Sequence, residues 1–188
     1  MTLLPKEDKA ESAVRTLLTY LEQDVNRDGL KDTPRRVVKA LREMTSGYHE
    51  DPGQILETVF DANYDQMVVV TDIPFTSLCE HHILPFIGTA SVGYIPNGRV
   101  VGLSKLARVT LCFAKRLQLQ EQMTTQIAAA IDTYLKPLGV GVIVRAAHQC
   151  MACRGVRVSG ATMVTSALLG EMRTDASVRT EFLRLSHG

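Results

Sequence analysis

No apolar run in the 188 residues approaches the roughly 20-residue length that a bilayer core demands, so a membrane span is not expected. An excess of one charge is missing too. Against 21 Lys and Arg stand 20 Asp and Glu, a formal net charge of +1. That balance speaks against bulk affinity for nucleic acid or a membrane surface and still leaves room for a local basic pocket, because net charge averages over the surface. Lys6, Glu7, Asp8 and Lys9 are followed by no apolar core, so a signal peptide is not expected and a cytoplasmic protein is. Cysteine is scarce. Four cysteines in such a chain read as metal or catalytic groups rather than as a disulfide framework. Tryptophan is absent, which excludes nothing. Repeats, low-complexity tracts and long linkers are lacking, and the length suits one domain with a small helical appendage.

What is present is ordinary for a soluble globular chain, with 45% hydrophobic and 22% charged residues. Val14, Leu17, Leu18 and Leu21 share one face of a predicted helix over 11–24. Asp24 to Gly29 begins like a calcium loop, but Arg35 stands where the twelfth-position carboxylate would be, so it reads as a turn. Asp32-Thr33-Pro34 predicts a capped helix start, with Val37, Val38, Leu41 and Met44 as the apolar face. Strands are predicted over 67–73 and 86–95. Asn97-Gly98 is a strong hairpin signal, with Val100 and Val101 opening the return strand. A helix follows Gly102 with Ser104 as its cap and Leu106, Val109, Phe113 and Leu117 as its buried stripe. Another spans 121–135, with Ile127, Ala130, Ile131 and Tyr134 on one side. Strands over 140–147 and 156–164 and a helix over 175–185 complete an α+β order.

Two of these helix starts carry cations at i,i+3: Arg36 with Lys39, and Lys105 with Arg108. Positive charge is unfavourable there, since the helix dipole already presents its positive end. One such pair alone reads as a solvated basic face. Two pairs point to a polyanion pocket, where dipole and cations act together.

The chemistry concentrates in two stretches, Ser77 to Phe86 and Ala147 to Gly155, which hold three of the five histidines and three of the four cysteines. Cys79-x-x-His82 has the spacing of a zinc-binding pair. A regular strand would put the two on opposite faces, so the chain must turn there, leaving His81 off the metal. Downstream, Cys150 and Cys153 could both bind, closing a structural site. Alternatively Cys150 binds alone and a fourth position stays open for water. His148 and Cys150, two apart on a strand, would face one side, and a histidine beside a metal without ligating it points to acid–base chemistry. The residues alone thus lead to a zinc hydrolase with an anionic substrate, with the closed site as the alternative.

From about Asp32 to Leu185 the sequence resembles GTP cyclohydrolase I. The resemblance rests on Cys-Glu-His-His at 79–82, Tyr-Ile-Pro-Asn at 94–97, Gly-Leu-Ser-Lys at 102–105, Gln-x-Gln-Glu at 118–121, His-x-Cys-Met at 148–151, Arg-Gly at 154–155 and Arg-x-Glu-Phe-Leu at 179–183. It implies Cys79, His82 and Cys150 as ligands of Zn2+, and His81, His148 and Ser104 as catalytic residues, with Ser104 near the ribose. It implies Glu121 as the carboxylate gripping guanine, Gln120 beside it, and Arg36, Lys39, Lys105, Arg108 and Arg154 around the triphosphate. The implied reaction adds water at C8 of GTP, opens the five-membered ring, releases formate, rearranges the ribose and closes 7,8-dihydroneopterin triphosphate, opening folate and pterin synthesis. The implied fold is the tunnelling fold, an antiparallel sheet with two helices on one face. It is preceded by an N-terminal helical region, with a division into residues 1–64 and a catalytic domain of 65–188. Homodecamers of two pentamers, with sites at subunit interfaces, are implied as well; nucleic acid and membrane are not. Gln122 departs from the family's usual Arg, and Leu111 and Cys112 from its usual polar or bulkier residues. Competing readings are a same-fold reductase of a deazaguanine nitrile, a non-catalytic zinc-stabilised assembly protein, and an inactive paralogue. The first lacks use for the full Cys-Glu-His-His and His-x-Cys set, the second for His81, His148 and Glu121 together, and the third has only Gln122 in its favour.

Overall fold

A computed structural model describes residues 7–22, 24–61 and 63–186. Contacts divide the chain into two compact units between Thr45 and Ser46. The boundary expected at 64/65 lies further along, and the short elements between the two positions pack with the larger unit.

The smaller unit is a helical pair, α1 (Glu7–Leu21) and α2 (Thr33–Met44). The stretch from residue 25 to 32 is a series of turns, as read from the sequence. No residue of α1 is buried, and Leu17 and Leu21 of its expected apolar face are exposed. Pro34 and Val38 are the buried residues of α2. Asp32 precedes that helix, but its side chain caps nothing. Its backbone is already helical (φ −95°, ψ −4°), and its carboxylate instead meets Arg36 at 3.5 Å.

The larger unit opens with a 3-10 turn (Ser46–His49) and α3 (Pro52–Leu56), where Asp51 accepts from Gly53 N. There follow β1 (Val59–Asp61), β2 (Val68–Cys79), β3 (Pro85–Ile95), β4 (Arg99–Val101), α4 (Leu103–Ala114), β5 (Leu117–Gln118) and α5 (Gln120–Leu135). The chain ends with β6 (Gly139–His148), α6 (Gln149–Ala152), β7 (Met163–Gly170), α7 (Glu171–Thr174) and α8 (Ala176–Leu185). Five strands form one sheet in the order β5-β2-β3-β6-β7, antiparallel except for the short β5 beside β2.

Alternation along the strands sorts the core. Phe75, Phe86, Ala90, Val92, Val140, Val142 and Val144 turn to one face, where Leu106 and Val109 of α4 and Met123, Ile127 and Ile131 of α5 cover them. Ile95 and Ile143 turn to the other face and pack with Met172 of α7 and Phe182 of α8. This is the expected α+β tunnelling fold, an antiparallel sheet with two helices on one face. The C-terminal helices seal part of the second face.

Several local expectations are corrected. Asn97-Gly98 does reverse the chain, with Gly98 at φ +73°, but the return strand β4 pairs with β1 and not with β3. Both edges of β3 are already taken by β2 and β6, so β4 has no free partner there. The Tyr94 hydroxyl accepts from Val101 N at 3.0 Å instead. Ser104 is not the cap of α4. Gly102 precedes the helix and Ser104 is already inside it. Leu117 lies beyond that helix, in β5, and Tyr134 is exposed rather than buried. The last strand is Met163–Gly170 and not 156–164. Gly155, Arg157 and Gly160 all have positive φ, and three such residues within six interrupt regular extended pairing, so Val156 and Val158 sit exposed on irregular chain. β2 runs past Ile73 to Cys79, with a bulge between Val70 and Ile73 where Asp72 takes φ +54°.

Close approach of β3 and β6 depends on Gly88. A Cβ there would overlap the Arg145 carbonyl oxygen and come within 2.7 Å of Ala146 Cα. Gly88→Ala is therefore expected to destabilise the unit by about 1–3 kcal/mol, as overpacking does. Denaturation at fixed protein concentration reads this as a lowered midpoint; an unchanged midpoint would contradict the close approach.

Candidate metal centre and active site

β2 ends at Cys79, and the chain turns at once. Cys79 N donates to Leu84 O at 2.9 Å, and Ile83 N donates back to Cys79 O at 2.8 Å. Ile83 accepts φ +54° to complete the reversal before Pro85 opens β3. The turn required by the Cys-x-x-His spacing is present. It brings Cys79 Sγ to 4.0 Å from His82 Nδ1. Gln118 of β5 pins the loop from the other side, its carbonyl accepting from Glu80 N at 3.1 Å.

The third member comes from β6. That strand ends at His148, and the chain then makes one helical turn, α6, which carries Cys150. The expectation that His148 and Cys150 share a strand face is corrected, because Cys150 has left the strand. The helical turn still delivers its sulfur to the same place. Cys79, His82 and Cys150 have ligand atoms all within 4.8 Å of one another, and among the described residues this is the one such group of His, Cys, Asp and Glu. Burial pushes the Cys150 thiol up, and the neighbouring Cys79 sulfur pushes it further. A cation between the two sulfurs would reverse the second effect. Cys153 is outside the group: it is exposed, and its thiol donates to Gln149 O at 2.9 Å.

His81 is exposed, its ring 6.1 Å from that of His82 and nearly perpendicular to it. His148 is half-buried. Its ring stacks on Phe86 at 4.7 Å with an interplanar angle of 2°, and its Nε2 lies 2.7 Å from Gln120 Oε1. Burial pushes the His148 imidazole below its ordinary range, and the Glu121 carboxylate pulls it partly back. Burial thus favours the neutral ring, and the nearby carboxylate favours the charged one.

The remaining sequence-selected residues fall in α2, α4, α5 and the chain after α6. Glu121 is exposed in the first turn of α5. Gln120, expected beside it at the base, is instead buried at 1% exposure beneath His148. Ser104, Lys105 and Arg108 lie in the first two turns of α4, and among the described residues neither cation has an ion-pair partner. Arg154 follows α6 and sets its Nη1 2.9 Å from His82 Nε2. Arg36 and Lys39 belong to the smaller unit, both exposed on α2. A cavity of about 550 Å3 is lined by none of these residues but by Asp51, Leu56, Glu57, Val59, Arg99 and Tyr134 among others.

Sequence reasoning missed Phe86 as the ring platform and Thr124 and Thr165 as polar neighbours of Gln120. Phe86 stands opposite His148 in the β3–β6 register, and Thr165 opposite Val144 in the β6–β7 register. Registers between strands far apart in the chain leave no local signal. Only the Gln120–Thr124 spacing, i,i+4 on a helix, was available.

Comparison with known proteins bears on the whole chain. The family model for GTP cyclohydrolase I matches residues 10–187. A protein of Janthinobacterium sp. (strain Marseille) named GTP cyclohydrolase 1 is 53% identical over 174 residues, covering 92% of this chain and 88% of the relative. One of the same name from Allorhizobium ampelinum is 50% identical over 186 residues, covering 98% and 92%. A third, from Brucella anthropi, is 49% identical over 184 residues, covering 97% and 86%. With a match spanning nearly its full length, the chain belongs to the GTP cyclohydrolase I family.

Proposed function

We propose that this protein converts GTP and water to 7,8-dihydroneopterin triphosphate and formate, the entry step of pterin and folate synthesis. Family membership supports the activity. The observation that carries its chemistry is the meeting of Cys79, His82 and Cys150, two residues along the chain from a half-buried His148 stacked on Phe86.

Two thiolates and an imidazole would form a soft donor set that suits zinc, and three protein ligands would leave such an ion room for water. Cys79, His82 and Cys150 would hold the ion. When bound, zinc supplies a nucleophile at neutral pH by lowering the pKa of a coordinated water to about 7. The chain's own groups do the rest. Glu121 accepts from the N–H edge of guanine. His148 takes up a proton and delivers it to the ring nitrogen next to C8, and the exposed His81 exchanges protons with solvent. Ser104 contacts the ribose. Lys105, Arg108 and Arg154 neutralise the triphosphate, with Arg36 and Lys39 as further cations. The α4 N-terminus adds its dipole to the charges of Lys105 and Arg108.

The working form proposed is a homodecamer of two pentamers in the cytoplasm. In a single copy His81, Ser104, Arg108 and Glu121 all stand exposed, which supports a site completed by a neighbouring copy. Met163 and Val164, exposed on the edge strand β7, offer an apolar edge for that copy. Among the described residues no helix is long and apolar enough to cross a membrane. Functionally, residues 65–188 carry the zinc, base and ribose contacts, and 1–64 contribute the outlying cations.

Zinc-loaded protein incubated with GTP is expected to release formate and, after oxidation, fluorescent neopterin; a zinc-loaded oligomer yielding neither would refute the assignment. Metal analysis after substitution tests the ligands. Cys150→Ser is expected to lose bound zinc and Cys153→Ser to keep it; loss of zinc in both variants would restore a closed structural site.

A further inference from the structure

We propose that Gln120 is a positioning residue that fixes the tautomer and the plane of His148. The inference rests on the functional reading above and adds a role for a buried amide in it.

Gln120 is the first residue of α5 and is 1% exposed. Its Nε2 lies 3.1 Å from Val144 O, 3.1 Å from Met163 O and 3.1 Å from Thr165 Oγ1. Two of these neighbours are carbonyls, which only accept, so the amide nitrogen must face them. The amide oxygen is thereby turned toward His148. That oxygen also only accepts, so the His148 nitrogen 2.7 Å away, Nε2, must carry the hydrogen. In the neutral ring Nδ1 is then left bare.

The surrounding hydroxyls support this orientation. Thr124 Oγ1 donates its one hydrogen to Gln120 O at 2.7 Å. The Thr124–Thr165 contact, also 2.7 Å, must then take its hydrogen from Thr165. Thr165 Oγ1 is left to accept from Gln120 Nε2, whose two hydrogens are shared among three acceptors. Both side-chain polar atoms of Gln120 are thus engaged within the fold.

The consequence for His148 is mechanical and electronic. Phe86 holds the face of the ring, and Gln120 holds one edge. Nε2 keeps its hydrogen in both the neutral and the protonated ring, so the Gln120 bond survives a full proton cycle. Nδ1 is the one atom that can take up and release the proton, and the ring need not turn to do so. A neutral amide also orients the ring without the added negative charge that a carboxylate would bring.

Three measurements on the full-length, zinc-loaded protein test this. Nitrogen NMR of 15N-histidine-labelled protein, with His148 assigned from His148→Ala, is expected to show the Nε2–H tautomer. An Nδ1–H tautomer overturns the proposal. Gln120→Met, similar in length without polar atoms, is expected to lower kcat about 100-fold, in the range seen for positioned acid–base groups, with KM for GTP and zinc content nearly unchanged. A raised KM with kcat retained would make Gln120 a substrate contact and overturn it. In a His148→Ala background the same substitution is expected to add no further loss, whereas multiplying losses would show that Gln120 acts independently of His148. If Gln120→Met does not fold, the tautomer decides alone. Wild-type protein inactive on GTP would refute the functional reading, and the tautomer would still report on Gln120.

Discussion

The site depends on the pairing of β3 with β6. Ten consecutive pairs, from Phe86 opposite His148 to Ile95 opposite Gly139, fix where β6 ends relative to the hairpin that closes β2 on β3. Because side chains alternate across a strand, a one-residue slip would turn His148 to the other face. It would also carry α6 and Cys150 away from Cys79 and His82. The register is held by the apolar alternation of Ala90, Val92 and Tyr94 against Val140, Val142 and Val144, all buried under α4 and α5. Gly88 permits the two backbones to approach beside the site. Core packing and catalytic geometry are therefore one constraint.

On that frame two electrostatic problems are solved by neighbours. Burial first and the neighbouring Cys79 sulfur second push the Cys150 thiol up, so two thiolates are unfavourable in this place, and a divalent cation would relieve it. Burial also disfavours a charged His148, while Glu121 favours it. The two effects oppose each other at a ring that sits near a carboxylate able to support its protonation, an arrangement that suits acid–base work. Cations at the start of α4, without carboxylate partners among the described residues, complete the pattern, since a polyanion can neutralise them.

How much of this the sequence disclosed follows from what is local. Cys79-x-x-His82 was legible because both residues sit in one turn, and the turn itself followed from their spacing. The amphipathic helices α4 and α5 were legible because their stripes repeat every turn. The division of labour between Cys150 and Cys153 stayed open, since Cys-x-x-Cys spacing serves either site. The structure sets Cys153 against its own helix carbonyl. What misled was chemistry that local pattern cannot rank. Val156 and Val158 look like strand residues, but the positive φ of Gly155, Arg157 and Gly160 breaks the run. Asn97-Gly98 looks like a hairpin, but both edges of β3 are occupied. Gln120 looks like a neighbour of Glu121 at the substrate. Consecutive helix residues point about 100° apart, and Gln120 turns inward while Glu121 turns out.

X-ray absorption at the zinc edge of the loaded protein is the most direct test of an open centre held by two cysteines and one histidine. A first shell of two sulfurs at about 2.3 Å and two lighter atoms at about 2.0–2.1 Å is expected. A shell of three sulfurs would bring Cys153 into the site, close the position reserved for water and contradict the hydrolytic centre.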